Sequence, residues 1–152
     1  MSSKNEHKNL QKLADERAVV YLSEQFKTLI DEAEEQIEQV KPKDLYVLDE
    51  KMILVDVREP EEFGSGYINA HNNLTLPRGK LEFMAIKRIA DVYGQDAHIV
   101  TYCLKGPRGS LAALQLKKMG FTNVKNLKGG ILNWLDKGNT KHSYLGELTL
   151  AK

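Results

Sequence analysis

The segment best suited to chemistry is Cys103-Leu-Lys-Gly-Pro-Arg108, which holds the only cysteine among the 152 residues. Lys105 and Arg108 place two cations close to the thiol, and no carboxylate stands between them. A loop that leads into a helix points its backbone N–H groups inward, at the positive end of the helix dipole. Such surroundings stabilise a thiolate and hold an anion beside it. The segment therefore predicts a nucleophilic cysteine in an anion-binding loop.

A single cysteine also has a plainer interpretation as an inert core residue, because free cysteine is among the most buried residue types. The position of Cys103 favours the nucleophile. Residues 99–102 have the β-branched and aromatic pattern of a short buried strand, and residues 110–119 have the pattern of a helix that stops at Gly120. Open α/β sheets place ligand sites at the carboxyl ends of their strands, where this cysteine falls.

The elements that must position this loop alternate between strands and helices. Residues 52–55 are continuously apolar, which is typical of a central parallel strand, so we expect a strand over 51–57. We further expect a short helix over 42–48, a helix over 81–93, a strand over 123–127 and a last helix, ending at Gly138, with Trp134 in the core. This order predicts an α/β fold with a mainly parallel sheet and helices on both faces.

The strand over 51–57 delivers Asp56 and Arg58 to its carboxyl end. Both residue types occur in catalysis, but we favour structural support of the site, in which the two side chains bond to each other and to loop backbone. Arg78, in the turn before the helix over 81–93, is either a third cation over the pocket or an ordinary surface arginine.

Residues 8–40 carry apolar residues at a spacing of three and four, without glycine or proline, and predict an amphipathic helical extension over residues 1–40. It either packs on the domain's own surface or serves as an arm for a homodimer or another protein partner, because so long an apolar stripe has to be covered. We place the main domain at 41–138 and a C-terminal tail at 139–152. The tail is an edge strand or a loosely held end.

Composition excludes several classes of function. A net charge of +1 gives no electrostatic case for nucleic acid or a membrane surface. One cysteine allows no intramolecular disulfide and no thiolate metal cluster, and we expect neither a metal nor a cofactor. The polar start, without an apolar run of signal-peptide length, makes the cytoplasm the expected compartment.

The pattern Cys-x-x-Gly-x-Arg after a strand that ends in Tyr102 resembles the active-site loop of the rhodanese (thiosulfate sulfurtransferase) superfamily. Further segments resemble the family's opening and closing parts, in order and at suitable spacing: 54–63, 66–68, 77–83, 116–124 and 127–134. The resemblance covers about residues 40–137. It implies a single rhodanese-like domain.

The resemblance also implies sulfur transfer by double displacement. Cys103 would attack the outer sulfur of thiosulfate or a similar anionic donor and pass it from a persulfide to cyanide or a thiol. The substrate-binding residues would then be those that directly follow the cysteine: Leu104, Lys105, Gly106, Pro107 and Arg108. Arg78 is a further candidate. We favour Lys105 as the cation for the donor, since Arg108 could instead bond loop carbonyls or an acid such as Glu62.

The chain departs from the family's pattern at several positions. Tyr67 stands where a histidine is usual, and we expect it to pack under the loop. His71 replaces a small residue, which would alter the pocket rim. We do not favour it as an acid or base, because sulfur transfer from a thiolate needs no proton shuttle. Leu104 and Pro107 make the loop drier and stiffer, and Gly109 stands in place of a frequent serine.

Two alternatives remain beside the sulfurtransferase. Cysteine phosphatases and arsenate reductases hold oxyanions in similar loops, but the related phosphatases place about five residues between cysteine and arginine, and the shorter loop here fits sulfur better. The other alternative is a sulfur carrier or an interaction module without turnover, which the long N-terminal helix keeps open.

Overall fold

The computed structural model describes residue 9, residues 22–143 and, for backbone alone, residues 146–149. Residues 22–36 are helical (α1), and the chain divides into two compact units, Met1–Glu32 and Ala33–Lys152. Half of the predicted extension over 1–40 lies outside the described residues. Its role as an arm for a second copy or a partner therefore stays a prediction.

A five-stranded sheet forms the centre of the second unit. Its strands are β1 (Glu38–Val40), β2 (Met52–Asp56), β3 (Asn72–Thr75), β4 (His98–Tyr102) and β5 (Val124–Leu127), in the spatial order β1-β5-β4-β2-β3. Every neighbouring pair is parallel, which confirms the predicted α/β class. All five carboxyl ends consequently lie along one edge, the edge that β4 extends into Cys103.

Two of the strands were not expected from the sequence. Residues 38–40 form β1, so the prediction of a helix through Val40 is wrong at its end. Their backbone pairs with residues 125–127 of β5, and this long-range pairing overrides the local helical spacing. Strand β3 begins with two asparagines, a residue type depleted in strands, and its pairing with β2 compensates for the weak local preference.

Helices cover both faces of the sheet. They are α2 (Pro60–Gly64), α3 (α-helical over Leu81–Ala85 and Asp91–Tyr93, π-helical over Ile86–Ala90), α4 (Pro107–Met119) and α5 (Gly130–Asp136). Two 3-10 turns, Pro42–Asp44 and Arg78–Lys80, complete these elements, and the first is shorter than the helix expected over 42–48. In the tail, β6 (Thr140–Ser143) pairs antiparallel with β7 (Gly146–Thr149) in a separate two-stranded sheet.

The core has one apolar layer on each face, because alternate residues of the strands point to opposite sides. Ile53 and Ile99 belong to the layer that α3 and α4 cover, whereas Leu54 and Val100 belong to the layer that α5 covers. Trp134 lies in the second layer and is 7% exposed, which confirms its predicted place in the core. No helix among the described residues is long and apolar enough to cross a membrane.

His98, at the start of β4, gives the fold a measurable pH dependence. Its Nε2 atom is buried and has no hydrogen-bond partner among the described residues. Burial, assisted by the charge of Lys125, lowers the pKa of His98 in the folded state below the ordinary value of about 6.5. The unfolded chain therefore binds the proton more readily, so the free energy of unfolding should fall as the pH drops below about 6.5.

We expect the free energy of unfolding to fall less in His98→Phe than in the wild type between about pH 7 and pH 5. In this window the unfolded chain binds a proton at His98 and the folded chain resists it. Urea unfolding at a series of pH values measures this difference. The matched control is His71→Phe, which alters an exposed histidine. Equal pH dependence in the wild type and His98→Phe would contradict the prediction.

Candidate active site

Cys103 lies directly after β4 at the floor of an open cavity of about 310 Å³. Four residues of the following loop complete the lining: Leu104, Lys105, Pro107 and Arg108. The cysteine is 1% exposed, and the backbone N–H of Gly106 donates a hydrogen bond to its Sγ atom over 3.0 Å. A sulfur anion at this position therefore has a fixed donor.

The first turn of α4 adds further polar groups to this cavity. The helix begins at Pro107, earlier than the expected residue 110, because proline suits the first helical turn. The first N–H groups of a helix have no acceptor within it, so those of Arg108 and Gly109 are free of intrahelical bonds, while Pro107 has no N–H. These groups and the helix dipole favour negative charge near Cys103.

The first turn of helix α5 is hydrogen-bonded to the cysteine loop. The N–H groups of Ile131 and Leu132 donate to the carbonyl oxygens of Cys103 and Leu104 over 2.9 and 3.1 Å. Gly130 has a positive φ of 65°, and a Cβ atom there would collide with the same two carbonyl oxygens. This close approach requires a glycine at position 130.

Asn126 of β5 holds the other side of the loop, and sequence reasoning missed it. The residue is fully buried, and its Nδ2 donates to the carbonyl oxygen of Gly106 and to Ser110 Oγ, over 3.2 and 3.1 Å. Its Oδ1 accepts a hydrogen bond of 3.0 Å from Thr101 Oγ1. The available signal was an asparagine inside a buried strand, where this residue type is uncommon.

The same asparagine explains a departure from the family's pattern. A Cβ atom at Gly109 would overlap Asn126 Oδ1, so the frequent serine does not fit at this position in the present loop. The carbonyl oxygen of Gly109 lies 2.8 Å from Thr101 Oγ1 and shares the single hydroxyl proton of Thr101 with Asn126 Oδ1. The glycine and the buried amide are therefore matched to each other.

Asp56 and Arg58 form the ion pair that the sequence suggested, and both side chains are 3% exposed. Arg58 Nε and Nη2 donate to the two carboxylate oxygens over 2.9 and 2.8 Å, and Nη2 also donates to the carbonyl oxygen of Gly66 over 2.7 Å. Burial opposes the charge, but the hydrogen bond and charge of Asp56 prevail and raise the pKa of Arg58. The pair is present, and its role in supporting the site stays a prediction.

Tyr102 joins this ion pair to the strand that carries the cysteine. Burial raises the pKa of Tyr102, so its hydroxyl remains protonated and donates to Asp56 Oδ2 over 3.0 Å. The hydroxyl oxygen of Tyr102 in turn accepts a hydrogen bond of 3.2 Å from the N–H of Ile68. Arg58 and Tyr102 together therefore attach residues 66–68 to the end of β4, one residue before Cys103.

Arg108 is paired with Glu62 of α2. Its Nη1 and Nη2 donate to the two carboxylate oxygens over 2.6 and 2.7 Å. The hydrogen bond raises the pKa of Arg108 and lowers the pKa of Glu62. The positive charge of Arg108 is thus largely compensated. Lys105 is exposed and forms no ion pair with an acid among residues 22–143.

Three further residues that the sequence analysis named lie outside the cysteine loop: Arg78, His71 and Tyr67. Arg78 pairs with Glu82 over 3.2 Å and does not line the cavity over Cys103. His71 precedes β3 at the amino edge of the sheet, opposite Cys103, so the prediction that it alters the pocket rim is wrong. The same position agrees with our not favouring it as an acid or base. Tyr67 stacks on Phe63 and contacts His142 edge-on, and its packing under the loop stays a prediction.

A parallel α/β sheet with a cysteine loop at its carboxyl edge agrees with the family resemblance of the sequence. Residues 22–137 match the model of the Rhodanese-like domain, and this chain belongs to that family. It is 36% identical over 101 residues to a Schizosaccharomyces pombe protein named as a candidate mitochondrial thiosulfate sulfurtransferase, a match that covers 61% of this chain and 70% of that one.

Two further relatives carry more specific names. The human thiosulfate:glutathione sulfurtransferase is 31% identical over 93 residues, which cover 55% of this chain and 79% of that protein. The solution structure of the polysulfide-sulfur transferase homodimer from Wolinella succinogenes superimposes with a TM-score of 0.67 at 27% identity, and the match covers 88% of this chain and 94% of that one. The chain is thus similar, at moderate identity, to proteins that are named for sulfur transfer.

Proposed function

We propose that this protein is a sulfurtransferase that moves a sulfane sulfur from thiosulfate or a similar anionic donor to cyanide or a thiol through a persulfide on Cys103. The hydrogen bond from the Gly106 N–H to the sulfur, at the floor of a cavity that Lys105 lines, is the observation that carries the proposal. The names of the relatives support the same chemistry. We propose the cytoplasm as its compartment.

The first step forms a bond between Cys103 Sγ and the outer sulfur of thiosulfate and breaks the bond between the two donor sulfurs. Sulfite leaves with the electron pair of that bond. The N–H groups of Gly106, Arg108 and Gly109 stabilise the negative charge around the sulfur. Lys105, with no acid paired to it among residues 22–143, neutralises the sulfonate end of the donor.

In the second step the acceptor attacks the outer sulfur of the persulfide, and the Cys103 thiolate leaves with the electron pair. Cyanide needs no proton transfer, and a thiol acceptor loses its proton to solvent. No acid or base from the protein is required, which agrees with the position of His71 at the far edge of the sheet.

Intact mass spectrometry tests the persulfide directly. After incubation with thiosulfate, the wild type should gain one sulfur atom, and cyanide should remove it. Continued formation of thiocyanate under excess cyanide distinguishes an enzyme from a carrier that accepts one sulfur and releases it only to a partner. If no sulfur is added while the thiol titrates as free, the proposed function is wrong.

The charge of Lys105 should matter for donor binding. We expect Lys105→Met to raise the KM for thiosulfate about two- to fivefold, the range of an exposed ion pair, and to change kcat less. Steady-state kinetics at low ionic strength measure the effect, which added salt should reduce. Lys118→Met, at an exposed lysine of α4, is the matched control. An unchanged KM in Lys105→Met would contradict this role.

Release of Arg108 from its partner should have the opposite effect. Glu62→Gln removes the charge that compensates Arg108 and leaves one more uncompensated cation at the cavity. We expect the KM for thiosulfate to fall about twofold. Glu61→Gln removes the same charge from the neighbouring exposed position and should leave KM unchanged. A higher KM in Glu62→Gln would mean that the pair mainly shapes the loop.

A further inference from the structure

A second and larger cavity, of about 610 Å³, opens beside β1, β5 and α5. We name it the lysine cavity after four of the residues that line it: Lys41, Lys43, Lys128 and Lys137. The other lining residues are Pro42, Asn133 and Asn139. It shares no lining residue with the cavity over Cys103. The two cavities are therefore distinct, and the sulfur chemistry makes no use of this one.

The charge of the lysine cavity is concentrated and of one sign. No carboxylate lines it, and none of the four lysines forms an ion pair with an acid in the part of the chain that the structure describes. Like charges gathered around one space repel each other, so the arrangement has a cost in stability. The whole chain has a net charge of only +1, so a generally basic composition does not explain the cluster.

Hydrogen bonds hold the walls of the lysine cavity in place. The N–H of Lys128 donates to the carbonyl oxygen of Val40 over 2.8 Å, which joins the ends of β5 and β1. Asn133 Nδ2 donates to the carbonyl oxygen of Lys128 over 2.8 Å, and Asn139 Nδ2 donates to that of Trp134 over 3.0 Å. The backbone that carries the lysines is thus fixed before any ligand arrives, as is usual for small-molecule sites.

We propose that the lysine cavity binds a small polyanion with two adjacent phosphate groups, of the pyrophosphate or nucleoside diphosphate class. Its volume lies within the range of about 300–1,000 Å³ that small-molecule pockets occupy. The cations that line it are lysines, and lysine binds phosphate groups as a compact point charge. Four ammonium groups match the charge of a diphosphate better than that of a single phosphate.

Calorimetric titration of the full chain with inorganic pyrophosphate tests the proposal without any measurement of sulfur transfer. We expect one site per chain, with an affinity that weakens as salt is added. The Lys128→Ala/Lys137→Ala double variant should bind at least about tenfold more weakly. The control double variant Lys87→Ala/Lys118→Ala removes the same charge from exposed lysines outside the cavity and should bind like the wild type.

Three results would overturn the proposal. The first is the absence of pyrophosphate binding to a folded wild type. The second is binding that Lys105→Ala abolishes and the Lys128→Ala/Lys137→Ala variant retains, which would place the anion at the loop of Cys103. The third is binding of inorganic phosphate as tight as that of pyrophosphate, which would exclude a site for two adjacent phosphates. Binding of ADP at the same lysines would extend the site to nucleoside diphosphates.

Discussion

The Cys103→Ser variant is expected to take up no sulfur from thiosulfate and to form thiocyanate on the order of 10³-fold or more slowly than the wild type. A serine hydroxyl is not ionised near neutral pH and cannot form a persulfide, so the first step has no nucleophile. Intact mass spectrometry and thiocyanate release measure the two losses.

Serine is a suitable replacement because the structure of the loop should survive it. Its Oγ atom can accept the hydrogen bond that Gly106 donates to the sulfur, and the side chain is no larger than cysteine. The free energy of unfolding should therefore change by no more than about 1–2 kcal/mol. A Cys103→Ser variant that still cycles sulfur would exclude the persulfide mechanism, whereas an unfolded variant would be recognised by circular dichroism.

The second large effect is expected for stability. Asp56→Ala leaves the guanidinium of Arg58 buried without its counter-charge, which should lower the free energy of unfolding by about 3–5 kcal/mol. Tyr102 also loses the acceptor of its hydroxyl group. Urea unfolding monitored by circular dichroism measures the loss, and Asp56→Asn, which keeps the shape of the side chain, serves if the alanine variant does not fold.

A double variant separates the buried charge from the loss of packing. Asp56→Ala/Arg58→Met removes both charges, and replacement of a whole buried ion pair by apolar groups is often close to neutral. We therefore expect the double variant to be more stable than Asp56→Ala alone. If the two variants are equally destabilised, the unpaired guanidinium is not the cause. A loss below about 1 kcal/mol in Asp56→Ala would mean that water reaches Arg58.

Local pattern was sufficient for most of the scaffold. The apolar run over 52–55 predicts β2, and the helical spacing over 110–119 predicts most of α4, because both elements have apolar faces long enough to be recognised. Strands β1 and β3 have no such pattern. Gln39 and Asn73 are ordinary surface or loop residues by type, and they enter the sheet because neighbouring strands pair with their backbone.

In the candidate site, too, the sequence indicated some features and the structure alone revealed others. The sequence alone indicated Cys103 as the nucleophile, the cations of its loop and the pairing of Asp56 with Arg58. It did not indicate Asn126, whose hydrogen bonds to Gly106 and Ser110 cross between a strand and a helix. The sequence left open whether Arg108 bonds loop carbonyls or an acid such as Glu62, and the structure shows the ion pair with Glu62.

By itself, then, the sequence determined the class of fold and the residue types of the loop on which the proposed chemistry rests, because both depend on residues at short spacing. Only the tertiary structure decided which cation remains uncompensated, that His71 lies at the opposite edge of the sheet, and that four lysines from separate segments surround one cavity. These features join residues that are far apart in the chain. Their physical cause is the parallel pairing of strands, which brings all carboxyl ends to one edge and which no local pattern specifies.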